Sequence, residues 1–290
     1  MKQLFGTGVA LVTPFDEFGG LDLKSLKKLL VHTARGVDYY VVMGTTGEAA
    51  TINKEEKKKV LDFVKANNPK KLPIVFGVGG NNTREVLDTI AHTDLDGVAA
   101  ILSVSPCYIK PSQEGICLHF EVIANESPVP VILYNVPGRT SSNLTADTTL
   151  RLAGHKNIIG IKEASGSLEQ CMKIAQQKPK EFMLISGDDL LTIPLYAIGA
   201  VGVISVLANA LPVVFKKMKE YSFAGNYGKA SAEQFKILEI NGLMYEEGNP
   251  VGVKQVLAEL RICSNHVRLP MAPASEGLKT RINSILKKMK

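Results

Sequence analysis

The sequence predicts an α/β fold, a closed (β/α)8 barrel (TIM barrel) followed by a small C-terminal α-helical domain. Up to about residue 224, eight short β-branched runs alternate with longer helical patterns, which is typical of parallel strands joined by crossover helices. After residue 224 the pattern is wholly helical. We therefore expect a barrel domain over 1–224 and a helical domain over 225–290. A doubly wound open sheet is the alternative, but "VTPFDEFGG" after the first strand lacks the GxGxxG turn of that fold.

The eight strands are assigned to short apolar runs bounded by turn residues. They are "GVALVTP" (8–14), "YYVVMG" (39–44), "PIVFGVG" (73–79), "GVAAILSV" (97–104), "PVILYN" (130–135), "IIGIKEA" (158–164), "FMLISG" (182–187) and "GVISV" (202–206). Between them, helical segments such as "DLKSLKKLLVHTA", "NKEEKKKVLDFVKAN" and "TREVLDTIAHT" each begin with a residue that can cap exposed backbone amides. Three helical stretches follow residue 224 and end in the basic tail "LKTRINSILKKMK".

Composition excludes several classes of function. The N-terminal apolar run is short and broken by Gly8 and Pro14, so we expect neither a signal peptide nor a membrane span, and a cytoplasmic location. The four cysteines form no CxxC pair and the five histidines show no metal-ligand spacing, so we expect no metal site. The net charge of +6 is spread over helix faces among acidic residues, which argues against nucleic-acid binding.

Unusual polar residues follow the strands at their carboxyl ends, where the working residues of a (β/α)8 barrel lie. These positions are Thr45 and Thr46 after the second strand, Tyr108 after the fourth, Tyr134 and Arg139 at the end of the fifth, Lys162 at the end of the sixth and "SGDD" after the seventh. We expect them to meet on one rim of the barrel.

Strand alternation predicts which of these side chains face inward, because residues at even separations share a face. If Lys162 points into the barrel, so do Gly160 and Ile158, and Gly160 leaves space beneath the lysine stem. The same parity places Tyr134 inward with Ile132. Lys162 and Tyr134 then lie on adjacent strands and are expected to touch.

This pairing indicates a specific chemistry. An apolar pocket favours the neutral amine of a lysine, which can form a Schiff base with a carbonyl substrate. Tyr134 could shuttle protons beside Lys162, and the hydroxyl of Thr45 could orient Tyr134. Arg139, on a rigid Pro-Gly turn, suits bidentate capture of a carboxylate.

Each residue also has a purely structural interpretation. Lys162 could be a surface residue or the ion-pair partner of Glu163. The tyrosines could be ordinary rim aromatics, Arg139 a structural ion pair, and Asp188 and Asp189 caps of the helix that follows them. The convergence of all these residues on one rim favours the functional interpretation.

Four motifs, "GTTGEAAT", "YNVPGRT", "IIGIKEASG" and "LISGDD", occur in an order and spacing that resemble the class I pyruvate-dependent aldolase family of N-acetylneuraminate lyase and dihydrodipicolinate synthase. The resemblance covers essentially the whole chain, including "SPCYIKPSQEG", "GVISVLAN" and "GNPVGVK". The double threonine and the arginine of "YNVPGRT" resemble the synthase branch. That branch condenses pyruvate with L-aspartate 4-semialdehyde in lysine and diaminopimelate biosynthesis. The alternative is another aldolase of the family that acts on a sugar acid or a hydroxylated keto acid.

The resemblance also implies a role for each residue. Lys162 would form the Schiff base with pyruvate, and Tyr134 would donate and accept protons. Thr45 would link Tyr134 to Tyr108 of a neighbouring subunit. The pyruvate carboxylate would be held by Thr46 and the backbone of Ile204, with Gly187 lining the pocket and Arg139 binding the second substrate. No metal or organic cofactor is implied, and the family is most often a dimer of dimers.

One departure from the family pattern concerns regulation. Members inhibited by lysine bind it at the dimer interface, near an aromatic residue before the relay tyrosine and a histidine or tryptophan after "GTTGE". Here these places hold Cys107, Lys54 and Lys57, although Asn81 and Glu85 are retained. Two like charges would repel an incoming lysine side chain, so we expect weak or absent feedback.

Overall fold

The computed structural model describes residues 2–289, and its eight parallel strands close into a barrel in the order β1 to β8. The strands are β1 (Gly6–Ala10), β2 (Tyr39–Val42), β3 (Ile74–Gly77), β4 (Ala100–Val104), β5 (Val131–Asn135), β6 (Ile158–Glu163), β7 (Met183–Ser186) and β8 (Gly202–Ser205). Each pairs with its neighbour along the chain, and β8 pairs with β1. The predicted barrel and all eight strands are confirmed.

Helices follow the strands and continue beyond the barrel. They are α1 (Leu23–Thr33), α2 (Lys54–Asn67), α3 (Thr83–His92), α4 (Gln113–Glu126), α5 (Pro137–Thr140), α6 (Ala146–Leu152), α7 (Leu168–Gln177), α8 (Thr192–Ala197), α9 (Pro212–Phe223), α10 (Tyr227–Phe235), α11 (Leu238–Leu243), α12 (Val251–Glu259) and α13 (Glu276–Lys288). Short 3-10 helices lie at Lys2–Leu4, Thr45–Gly47, Ala49–Thr51 and Leu207–Asn209. Side chains of Asp22, Asn53 and Asn82 cap α1, α2 and α3, the last one residue before the expected threonine.

Strand alternation divides the apolar residues into two cores. Inward-facing residues such as Val41, Ile132 and Ile185 fill the barrel. Outward-facing neighbours such as Val42 and Leu133 pack in a second layer against the helices. A site at the carboxyl ends of the strands, here called the upper rim, is therefore lined from below by the inward-facing residues.

Every strand is shorter than its predicted range, and for β1 and β2 the backbone shows why the strand ends early. β1 ends at Ala10, because the amide of Val12 bonds the side chain of Asn209 (3.1 Å) instead of a neighbouring strand. β2 ends at Val42, because Met43 has a φ of +60°. In both places the chain leaves the barrel wall and becomes a rim loop.

The chain after α9 is helical, as expected, and residues of α11 and α12 join the outer core. The division into domains at 224/225 falls between α9 and α10 and stays a prediction. Within the described residues, none of the helices combines the length and apolarity needed to cross a membrane.

Candidate active site

Lys162 and Tyr134 lie side by side on the inner wall of the barrel. They are direct register partners on β6 and β5, and the Lys162 Nζ is 4.3 Å from the centroid of the Tyr134 ring. Only 6% of Lys162 is exposed, so it is not a surface residue. The expected contact between these two side chains is therefore present.

Glu163, the neighbouring acid, is not the partner of Lys162. Its carboxylate accepts hydrogen bonds from Asn135 Nδ2 (3.0 Å), the Ser165 amide (2.6 Å) and Gln170 Nε2 (2.9 Å). These donors lie behind the barrel wall, on the face opposite to Lys162. The ion-pair interpretation of Lys162 is wrong, because Glu163 is bound elsewhere.

The expected position of Ile158 is also wrong. It belongs to the outer core, whereas Lys162 faces inward. The register shifts within this strand pair: Val131 pairs with Ile158, but the next residue, Ile132, pairs with Gly160. One extra residue in β6 reverses its alternation, as a β-bulge does.

Two glycines make room at the site in different ways. A Cβ on Gly160 would lie 2.7 Å from Met183 Cβ, so this glycine leaves space for the neighbouring strand β7. The expectation that it leaves space for the lysine stem is wrong. A Cβ on Gly187 would lie 3.1 Å from Lys162 Cε and 2.6 Å from Ala164 Cβ. Gly187 is therefore the glycine that leaves space for Lys162.

The loop after β2 carries the two threonines. Thr46 is buried, and its Oγ1 accepts a hydrogen bond from Asn249 Nδ2 at 3.0 Å. Thr45 is partly buried, and within residues 2–289 no hydrogen bond joins it to Tyr134, so that link stays a prediction. Ile204 lies in the inner wall on β8.

Tyr108 and Arg139 extend from the rim toward solvent. Tyr108 is 86% exposed with a φ of +69°, so its own chain does not enclose it near Lys162. Arg139 is exposed on α5. Within the described residues, the arginines that form ion pairs are Arg84, Arg151, Arg268 and Arg281. Arg139 thus remains available to an anionic ligand.

The two aspartates of "SGDD" differ, which the sequence did not reveal. Asp188 Oδ1 accepts from the amides of Leu190 (2.8 Å) and Leu191 (3.3 Å) in the turn that precedes α8. Helix α8 itself begins at Thr192 without a side-chain cap, so the assignment of Asp188 as a cap is wrong. Asp189 is buried and instead accepts from the amide of Leu207 at 2.9 Å. Burial raises the pKa of Asp189 to about 6, an effect opposed by the Leu207 amide and, more weakly, by the charge of Lys162. Asp189 is therefore part of the surroundings of Lys162, and its assignment as a cap is wrong.

Tyr245 is a second residue near the site that the sequence pattern did not indicate. It follows α11, and the charged or ionisable groups near its hydroxyl include Asp189, Tyr134 and Arg139. The residue is 40% exposed, yet burial of the hydroxyl raises its pKa. Tyr245, in the turn after α11, is thus within electrostatic range of groups at the carboxyl ends of the strands. Among residues 2–289, no group of three or more His, Cys, Asp or Glu is arranged to hold a metal ion.

The fold and the site define a class: a (β/α)8 barrel with a buried lysine against a tyrosine at the carboxyl ends of adjacent strands. The chain belongs to the dihydrodipicolinate synthetase family, whose model matches residues 3–289. It is 49% identical to the 4-hydroxy-tetrahydrodipicolinate synthase of Cytophaga hutchinsonii, over 96% of this chain and 94% of the relative. It is 44% identical to the enzyme of the same name from Flavobacterium psychrophilum, over 100% and 99% of the two chains.

A solved structure shares the fold closely. The chloride-inhibited dihydrodipicolinate synthase from Acinetobacter baumannii, complexed with pyruvate, superimposes with a TM-score of 0.95 at 36% identity. The match covers 99% of each chain.

Proposed function

We propose that this protein is a 4-hydroxy-tetrahydrodipicolinate synthase, which condenses pyruvate with L-aspartate 4-semialdehyde in the biosynthesis of diaminopimelate and lysine. The observation that carries the proposal is the contact of the buried Lys162 with Tyr134 on the upper rim. The names of the relatives support the synthase over an aldolase for sugar acids or hydroxylated keto acids.

Lys162 acts as the nucleophile in this proposal. Its neutral amine attacks the keto carbon of pyruvate, and the carbonyl oxygen leaves as water to give a Schiff base. Loss of a methyl proton gives an enamine, whose carbon attacks the aldehyde carbon of the second substrate; the aldehyde oxygen becomes the hydroxyl group. Attack of the substrate amine on the imine carbon then closes the ring and releases Lys162. The protein itself supplies the electron sink, so the proposal includes no cofactor.

Tyr134 donates and accepts the protons that these steps require. Its ring faces the Lys162 Nζ, so its position is fixed relative to the reacting nitrogen. Thr45 links it to Tyr108 of a second subunit. The exposure of Tyr108 supports this arrangement, because a side chain that its own chain leaves open can enter the site of another copy.

The remaining residues bind the substrates. Thr46 and the backbone of Ile204 hold the carboxylate of pyruvate, and Gly187 lines the pocket. Arg139 binds the carboxylate of L-aspartate 4-semialdehyde, since it is exposed at the rim and forms no ion pair within the described residues.

Reduction with borohydride in the presence of pyruvate tests the chemistry. Mass spectrometry should find the adduct on the peptide that contains Lys162, and an unmodified peptide would contradict the proposal. A steady-state assay with L-aspartate 4-semialdehyde, compared with sugar acids, tests the second substrate. Arg139→Ala should weaken use of the semialdehyde severely and leave pyruvate trapping intact.

The assembly and location belong to the same proposal. We expect a homo-oligomer, a dimer of dimers, in the cytoplasm, that binds neither nucleic acid nor membrane. Sedimentation velocity measures the subunit number, and a stable monomer with full activity would contradict a site shared between subunits.

A further inference from the structure

The segment "GNPVGVK" (248–254) contacts the loop that carries Thr45 and Thr46, although more than 200 residues separate them in sequence. Asn249 Nδ2 donates a hydrogen bond to Thr46 Oγ1 at 3.0 Å, across a separation of 203 residues. Both side chains are buried. The C-terminal segment therefore reaches one of the proposed pyruvate-binding groups directly.

The direction of this hydrogen bond determines where the proton of Thr46 is available. A threonine hydroxyl has one proton and two acceptor lone pairs, and the Asn249 amide occupies one lone pair. The hydroxyl proton is thereby left for another acceptor. Asn249 Oδ1 is itself buried without a partner, so this side chain serves its contact as a donor only.

A buried ion pair holds the backbone of the same loop. Glu48 follows the Thr45–Gly47 turn with φ of 56° and ψ of 33°, a left-handed conformation that persists in a non-glycine residue only when its surroundings fix it. Lys254 Nζ contacts Glu48 Oε1 at 2.5 Å, and the amide of Arg268 donates to Glu48 Oε2 at 3.0 Å. Both oxygens of Glu48 are thus bound by residues that follow the barrel, one by Lys254 of the 248–254 segment and the other by the amide of Arg268.

Lys254 is placed as firmly as its partner. It is 0% exposed, donates to the carbonyl of His266 at 2.7 Å, and lies 4.2 Å from the centroid of the Phe15 ring. The ammonium group of Lys254 is held next to Glu48, because separating the two groups would leave two unpaired charges in the interior.

We propose that Asn249 and the Lys254–Glu48 pair are positioning residues that orient the hydroxyl of Thr46 toward the carboxylate of pyruvate. They act through Thr46 and the Thr45–Gly47 turn and do not touch the substrate. The inference rests on the proposed function, because it assigns Thr46 to the carboxylate.

The test measures the pyruvate concentration that gives half-maximal borohydride trapping at Lys162. Asn249→Leu removes the donor at similar volume, and we expect this concentration to rise about tenfold, as for a weakened hydrogen bond to a charged group. The KM for L-aspartate 4-semialdehyde should change by less than about twofold, since uniform damage to the site would alter both. Equal increases in both quantities would overturn the proposal.

Asn241→Leu is the matched control. Asn241 is also buried, lies in the same helical region on α11, and has a buried Oδ1 without a partner. It makes no hydrogen bond to Thr46. The control should trap pyruvate like the unaltered protein; a rise equal to that of Asn249→Leu would overturn the specific role of Asn249.

A double-mutant cycle tests whether Asn249 acts through Thr46. Thr46→Val combined with Asn249→Leu should trap pyruvate no worse than Thr46→Val alone, and additive losses would contradict the proposal. If Asn249→Leu does not fold, Asn249→Asp gives the same test at unchanged size, because its carboxylate accepts the Thr46 proton and repels the substrate anion.

Lys254→Met tests the ion pair. It should also raise the half-saturating concentration of pyruvate, and adding Glu48→Gln should restore thermal stability by removing the unpaired buried charge. Unaltered protein that pyruvate and borohydride do not label would refute the proposed function. Labelling with an unchanged half-saturation in Asn249→Leu would refute the positioning role alone.

Discussion

Gly187→Ala should displace Lys162 without changing any polar group. The new Cβ would lie 2.6 Å from Ala164 Cβ, 3.0 Å from the carbonyl oxygen of Glu163 and 3.1 Å from Lys162 Cε. Carbon atoms pack best at about 3.5–4.0 Å, so the two carbon contacts are too short by roughly 1 Å and 0.5 Å. The rim ends of β6 and β7 must separate, or the lysine stem must rotate.

The size of the effect follows from these displacements. An overpacked core costs about 1–3 kcal/mol of stability, which corresponds to a melting temperature lower by roughly 2–4 °C for each kcal/mol in a chain of this size. A misplacement of about 1 Å at a reacting group can reduce the rate about 100-fold, equivalent to about 3 kcal/mol of barrier. Catalysis should therefore suffer more than folding.

Trapping kinetics and calorimetry separate the two effects. The rate of borohydride labelling at Lys162 should fall strongly in Gly187→Ala, while the unfolding transition remains cooperative. Gly242→Ala makes the same chemical change on α11, where an added Cβ has no atom within 4 Å, and should label normally. If Gly187→Ala labels as fast as Gly242→Ala, Gly187 does not control the position of the lysine.

Three further predictions concern stability, assembly and regulation. Burial lowers the pKa of His119 to about 4 from 6.5. As the pH falls, His119 is therefore protonated in the unfolded chain before it is protonated in the folded one. The free energy of unfolding, highest above about pH 6.5, should fall by up to about 3 kcal/mol as the pH drops toward about 4. Urea unfolding across this range should show the loss, and a pH slope equally steep in His119→Gln would contradict it. If Tyr108 serves a second subunit, co-expressed Tyr108→Phe and Lys162→Ala chains should regain activity that neither has alone, whereas co-purified but inactive mixtures would argue against it. Lysine should inhibit weakly, because Lys54 and Lys57 place positive charge where it would bind; half-inhibition at sub-millimolar lysine in a coupled assay would refute this.

The sequence was sufficient for features that depend on local pattern. Eight strands follow from eight short apolar runs, and the parity of β5 placed Tyr134 inward correctly. The alternation predicted for β6 was wrong at Ile158. A register shift depends on how two strands pair, and neither strand's sequence alone indicates it.

The rest of the site depends on contacts between distant parts of the chain. Asp189 precedes a helix in the sequence and was therefore interpreted as a cap. Its partner, the amide of Leu207, lies beyond the next strand, so the local sequence does not reveal it. Nothing near Thr46 in the sequence points to Asn249. Such pairs form only after folding brings rim loops and C-terminal helices together, so local pattern does not predict them.

The dependence of Glu48 on Lys254 and Arg268 has a consequence for synthesis on the ribosome. A nascent chain can pair neighbouring strands as they emerge, but β1 must wait for β8 before the barrel closes. Even then the carboxylate of Glu48 gains its two partners only when Lys254 and then Arg268 have left the exit tunnel, the latter at a separation of 220 residues. We therefore expect the barrel wall to form before the Thr45–Gly47 turn is fixed, and the enzyme to become active only after residue 268 has emerged from the ribosome.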